Sequence, residues 1–229
     1  MKLAIMQPYL FPYLSYFQLI HAVDAFVVYD DVNYIKGGWI NRNFILGQGQ
    51  QQRITLSLSH ASPNSKINQV SVGGNSGNLL KTIRQHYAKS SNFAAGFPVI
   101  EEILLQHETN LAKFLDAGLR RICAHLGLQC EWHISSDLQK DNSLRGQEKV
   151  LAICEELGAT HYINLPGGKS LYDRVAFASR GIQLSFIQPK TAPYRQFGKE
   201  FVPNLSIIDV IMFNDRIRCT KLLEEYDLV

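Results

Sequence analysis

The chain has 229 residues, a formal net charge of +3, 46% hydrophobic and 19% charged residues. That size and mix suit one folded α/β domain over residues 1–229; they exclude a disordered chain or a small disulfide scaffold. The slight positive balance gives no basis for a nucleic-acid or membrane partner, and the longest apolar runs are too short to insert in a membrane.

In chain order, residues 2–6 (KLAIM) form an apolar run closed by Gln7 and Pro8, which predicts a short buried strand. With Lys2 as its lone early charge and prolines breaking the run, this start does not read as a signal peptide, and a cytoplasmic chain is expected. A proline-bounded loop (7–12), a helix (13–22) and a second strand (26–29) ended by Asp30 and Asp31 follow. Strand, loop, helix, strand is the grammar of a parallel sheet. Ligands of such sheets sit at the carboxyl ends of strands, so loops 7–12 and 30–33 are expected on one rim.

Residues 34–43 read as a polar and aromatic loop, and the alternating runs 53–59 and 67–72 as a small antiparallel excursion. Helices over 78–87, 98–105 and 109–126 make a helical insertion of about 78–126. Then come a strand (131–135), an amphipathic helix (144–157) stopped by Gly158, and a strand (161–165) closed by Pro166-Gly167-Gly168. A helix (171–178), a strand (182–187), a loop rich in Tyr, Arg and Lys (189–203) and an apolar helix (205–213) complete the pass.

Four groups of residues could carry chemistry. Asp30 and Asp31 end a strand and precede Tyr34, Lys36, Trp39, Arg42 and Asn43. Paired carboxylates can supply a base or orient a polyol, the aromatics offer flat faces, and Arg42 suits phosphate or carboxylate. Gln7 and Tyr9 sit on the proline loop, with His21 on the helix behind it. Gly167, Gly168, Lys169 and Tyr172 follow a strand, where backbone N–H groups can cradle an anion. Ser206 is an N-cap candidate for the last helix, and Asp209 lies inside the apolar run IIDVIMF, where burial demands a partner. Cys123, Cys130, Cys154 and Cys219 show no CxxC spacing and read as reduced packing residues. No metal-ligand cluster is evident, and neither a metal nor a cofactor is expected.

Three stretches, QPYLFPYLSYFQLIHAVDAFVVYDDVNYIKGGWINRN, LGATHYINLPGGKSLY and FVPNLSIIDVIMFN, together resemble the WbqC-like protein family, in the family's order and nearly end to end. The fold class is α/β: a three-layer, Rossmann-like and mostly parallel sheet with the antiparallel excursion and helical insertion. The first strand, loop and helix also resemble the HIGH-motif nucleotidyltransferases, although PYLSYF stands where the His-x-Gly-His pair would be. The resemblance implies a role in O-antigen or other surface-polysaccharide synthesis, with an acyl or aminoacyl group, glycine among the candidates, passed to an amino sugar. The implied partners are a nucleotide-linked amino-sugar substrate and an acyl or aminoacyl carrier.

On that reading Asp31 or Asp30, with His21 second, takes the proton from the attacking amine. Gln7, Asn43 or the Gly167 and Gly168 amides stabilise the oxyanion, Arg42 and Lys36 hold phosphate, and Trp39 stacks. Two other classes remain open: a nucleotide-sugar-binding protein without chemistry, and a nucleotide-dependent ligase or nucleotidyltransferase.

Overall fold

A computed structural model describes residues 1–190 and 192–229; Thr191, within the expected 189–203 loop, lies outside the described residues. Strand β1 (Lys2–Met6) runs into a loop, helix α1 (Leu14–His21) and strand β2 (Ala25–Val28), as the apolar pattern requires. β2 lies parallel to β1, with Leu3 opposite Ala25 and Met6 opposite Val28. Strands β7 (Glu131–Ile134), β8 (His161–Asn164) and β9 (Gln183–Pro189) extend the parallel sheet. Strand β10 (Tyr226–Leu228) closes the β9 edge antiparallel, giving the order β10-β9-β8-β1-β2-β7.

Successive strand residues point to opposite faces, and each face buries its own core. Ala4, Phe26, Val28, Ile163 and Ile187 pack under α1, α2 (Ser76–Tyr87), α3 (Phe93–Leu104), α4 (Leu111–Leu126), α7 (Ile207–Phe213) and α8 (Arg216–Leu223). Leu3, Ile5, Val27, Tyr162, Leu184 and Phe186 pack on the other side under α5 (Gly146–Glu156) and α6 (Arg174–Ser179). Gln18, buried on α1, donates to the Leu222 and Glu225 carbonyls at 2.8 and 3.1 Å, so the last helix is tied to the first. Among the described residues no helix is long and apolar enough to cross a membrane.

The antiparallel excursion differs in register from the pattern read in the sequence. Strand β3 (Arg42–Gly47), whose first two residues the sequence pattern places in a loop, pairs with β4 (Gln50–Thr55). A tight turn joins them, with Gln48 and Gly49 both at positive φ. A separate two-residue ladder pairs β5 (Leu58–Ser59) with β6 (Ser71–Val72). Helix α3 begins five residues before Pro98, which sits in its interior on the exposed side. Helix α8 and strand β10 have too few apolar residues to stand out as periodic runs.

The chain runs from β1 outward through β2 to β7, then crosses back to β8 on the other side of β1. Neighbouring strands β1 and β8 therefore send their following loops in opposite directions. A crevice opens between them at their carboxyl ends.

Candidate functional site

That crevice holds a cavity of about 570 Å³, within the range typical of small-molecule sites. Its walls come from the 7–13 loop, the end of β2, the 34–43 loop, the first turn of α5 and the 164–172 segment. Tyr9, Tyr13, Tyr29, Trp39 and Tyr172 supply five rings, and Gln7, Gln147 and Asn164 supply amides. Among the described residues the lining carries no charged side chain.

The loop that bears Gln7, Tyr9 and Tyr13 is held from below. Tyr16 donates its hydroxyl to the Gln7 carbonyl at 2.8 Å, and the Leu10 amide donates to the Ile40 carbonyl at 2.9 Å. Phe11 adopts the left-handed region, φ 45°, which is costly for a residue with a side chain. Its carbonyl accepts from Asn43 Nδ2 and from Ser206 Oγ, both at 2.8 Å. Asn43 and Ser206, both buried, therefore act on the cavity through the backbone they pin. Ser206 also caps α7, accepting from the Ile208 amide.

On the opposite wall, Asn164 donates to the Tyr162 hydroxyl at 2.9 Å and accepts from the Leu165 amide at 2.6 Å. A Cβ on Gly168 would lie 2.9 Å from Asn164 Nδ2, so glycine permits the close turn. The Gly168 and Lys169 amides donate within that turn, to the Leu165 and Pro166 carbonyls. The expected anion cradle thus has those donors already engaged. Gly167 lines the cavity beside Gly168, while Lys169 is exposed with its ammonium 5.9 Å from the Phe186 ring.

Burial pushes the Tyr9 phenol up to about 12, and the neighbouring Tyr13 and Tyr172 add to it. Burial also raises Tyr13, Tyr29 and Tyr172 above the ordinary phenol value, with Asp31 adding to the rise at Tyr29. All four phenols stay protonated at neutral pH and offer hydroxyl groups, not bases.

The two aspartates are engaged elsewhere. Asp30 is 3% exposed; its Oδ1 accepts from the Ser136 amide at 2.9 Å, and its Oδ2 from Ser136 Oγ at 2.7 Å and Asn68 Nδ2 at 2.9 Å. Asp31 lies behind Tyr29, between Lys149 Nζ at 2.8 Å and Lys140 Nζ at 3.2 Å, with Ser135 Oγ donating at 2.7 Å. Burial raises its carboxyl, but Lys149, Ser135 and Lys140 outweigh burial and hold it below the ordinary carboxylate value. The trio carries one excess positive charge, and Lys149 Nζ lies 5.3 Å from the centre of the Tyr29 ring.

His21 ends α1, on the far side of the sheet from the rim, exposed and edge-on to Tyr226. Tyr34 is buried and donates to Asn41 Oδ1 at 3.0 Å. Lys36 is exposed beside the lip residues Ile35 and Trp39, and the Arg42 guanidinium lies by Gly37. Asp209 is fully buried and accepts from Tyr87, Tyr194 and Gln196, fastening the segment before α7 to that helix. Of the residues singled out in the sequence, the cavity brings together Gln7, Tyr9, Trp39, Gly167, Gly168 and Tyr172. Tyr13, Tyr29, Ile35, Asn164 and Leu171 join them from within the same motifs; Gln147 carries no signal in the sequence. Among the described residues no three His, Cys, Asp or Glu side chains are grouped to hold a metal ion.

Parallel strands with a neutral, aromatic-walled cavity at their switch point define the class: an α/β protein with a cavity of small-molecule size. The chain belongs to the WbqC-like protein family, whose model matches residues 7–219. It is 29% identical over 218 residues to Uncharacterized protein Rv1507c of Mycobacterium tuberculosis, covering 93% of each chain. No solved structure matches it significantly.

Proposed function

We propose that the switch-point cavity binds a nucleotide-linked amino sugar and that the chain transfers an acyl or aminoacyl group, glycine among the candidates, to its amine. The reading belongs to bacterial surface-polysaccharide synthesis, O-antigen included, and implies a cytoplasmic enzyme supplied by an acyl or aminoacyl carrier. The observation that carries it is the neutral lining. Tyrosine and tryptophan faces suit a base or sugar ring, and the amides of Gln7, Gln147 and Asn164 suit hydroxyl and amide groups. The order of strands around β1 supports a Rossmann-like relationship. The phosphates would lie outward, towards Lys36 and Arg42.

In this reading the amine attacks the donor carbonyl, a C–N bond forms, and the C–S or C–O bond to the carrier breaks. The amine proton leaves with the carrier thiolate or alkoxide. The excess positive charge of Lys140, Asp31 and Lys149 behind Tyr29 disfavours protonation of an amine held there. The same field favours the developing oxyanion. Asp31 sets this field and Asp30 ties the rim together, and neither needs to act as the base.

A binding protein without turnover is the second reading, favoured by the absence among the described lining residues of a side chain that titrates near neutrality. A ligase gripping a nucleoside triphosphate has less support, since PYLSYF stands where the His-x-Gly-His pair would grip the phosphates. The test offers nucleotide-linked amino sugars with acyl and aminoacyl thioesters and reads products by mass spectrometry and binding by calorimetry. One acyl mass added to the sugar is expected, with Trp39→Ala weakening sugar binding about tenfold. Tight binding with no mass gain from any donor would favour the second reading. No binding of any such sugar would sink both.

A further inference from the structure

The polar groups of the switch-point cavity are not evenly divided between donors and acceptors. Gln147 Oε1 accepts from the Asp173 amide, and Asn164 Oδ1 from the Leu165 amide, both at 2.6 Å. A backbone N–H can only donate, so both side-chain amides are locked in one orientation, oxygen towards the protein. The Gln7 oxygen accepts from the Tyr9 hydroxyl at 3.5 Å. The backbone of the lining is spent in the same way. The Met6, Gln7, Ile35, Leu165 and Gly168 carbonyls accept from the Tyr29 amide, the Tyr16 hydroxyl and the Gly38, Gly168 and Leu171 amides.

Donors are what remain for a ligand. The NH2 groups of Gln7, after β1, and of Gln147, in the first turn of α5, have no protein acceptor among the described residues. Tyr172 completes the set. Burial raises its phenol, while hydrogen bonds from Tyr162 and Asn164 to its oxygen draw it back. With that oxygen occupied, its proton is left for the cavity. A Cβ on Gly168 would stand 3.2 Å from Tyr172 Cε2, so the ring packs on the same tight turn as Asn164.

The charge has the matching sign. Lys140, Asp31 and Lys149 leave one positive charge behind the Tyr29 ring. Asp30 turns to the other face of its strand, to Ser136 and Asn68. The Asp173 carboxylate accepts from the Val175 amide as the cap of α6. Among the described residues no carboxylate lines the cavity. Donors in front of a single positive charge fit one planar monoanion. A phosphate would bring a second charge that this wall does not match.

We propose that this wall is a carboxylate subsite and that the ligand of the cavity carries an acid group on a sugar ring, of the uronic-acid type. The carboxylate accepts from Gln7 Nε2, Gln147 Nε2 and the Tyr172 hydroxyl, and the aromatic walls take the ring. The proposal goes beyond the transfer reading and rests on it only for placing the ligand in this cavity.

The experiment titrates free glucuronate, free glucose and inorganic phosphate separately into the full chain by calorimetry at neutral pH. Glucuronate should bind at least about tenfold more tightly than either of the others. Gln147→Glu keeps an acceptor for the Asp173 amide and the size of the side chain, but turns a negative charge to the ligand; it should remove the preference for glucuronate over glucose. Tyr172→Phe keeps the ring on its turn and should weaken glucuronate more than glucose. Glucuronate bound no more tightly than glucose, phosphate bound as tightly as glucuronate, or a preference kept in both folded variants would overturn the proposal. Free glucuronate has no nucleotide, amine or acyl donor, so failure here is distinct from failure of the mass-spectrometric test of transfer.

Discussion

At the scale of single residues, Asp31 carries the clearest consequence. Its side chain is 4% exposed, and those of Lys140 and Lys149 are 1% and 5% exposed. Replacing it with asparagine leaves two buried ammonium groups without a counter-charge, and breaking such a group typically costs about 3–5 kcal/mol. Urea unfolding at neutral pH should register a loss of that order. The pH dependence has a definite sign. The folded carboxyl lies below its ordinary value, so the unfolded chain binds the proton first as pH falls. The stabilisation is therefore complete above the ordinary carboxylate value of about 3.9 and is lost as pH drops through the depressed one. Unfolding curves taken through that acid range should slope less steeply for Asp31→Asn than for the native chain. A variant that matches the native slope would show that the lysines do not hold this carboxylate.

At the scale of elements, α3 breaks a rule of its own sequence. Pro98 sits inside the helix and leaves the Ala94 carbonyl without its amide partner. Both positions face solvent, so water can serve the carbonyl. Pro98→Ala restores the donor and should raise stability by about 1 kcal/mol or more, read as a higher denaturation midpoint with an unchanged slope. The same residue explains why the sequence pattern starts the helix at Pro98, since proline is a favoured first residue and the preceding Phe93–Gly96 turn looks like loop. The five parallel strands are legible because each is a short run built on apolar or aromatic residues and bounded by turn signals. Strand β3 is not, because Arg42 and Asn43 look like ligand-binding polar residues and only their partners in β4 identify them as ladder residues. The aspartates were legible as special but not as occupied. Ser135, Ser136, Lys140 and Lys149, which engage them, lie more than 100 residues away in the chain. The cavity itself was half legible: motif spacing brings the 7–9 and 167–172 segments forward, whereas Gln147 reaches the cavity only through the crossover that returns the chain to β8.

At the scale of the whole molecule, two separate cores clamp one sheet, and no covalent link assists them. All four cysteines are free; Cys123, Cys154 and Cys219 are buried and Cys130 is half-buried. Burial raises every one of these thiols, Cys130 to about 11 and Cys154 and Cys219 to about 12. An aromatic disulfide reagent should therefore find Cys130 slowly and the others hardly at all until the chain unfolds, when all four react. Rapid reaction of several thiols in the native protein would contradict this packing. Reductant should leave the unfolding midpoint where it is.

The chain has two tryptophans, and of these Trp39 lines the switch-point cavity. It stands 45% exposed at the lip. Trp132 lies away from that cavity, under the Arg120 guanidinium, 4.8 Å from its ring centre, and Arg120 grips Asp116. The molecule is thus wired for optical spectroscopy. With Trp39 replaced by phenylalanine, the remaining emission answers to whatever loosens Arg120 from Asp116. With Trp132 replaced, it answers to whatever covers the lip. Two single-substitution proteins would let the filling of the switch-point cavity and the loosening of the Arg120–Asp116 pair be followed separately, in real time and without a labelled ligand.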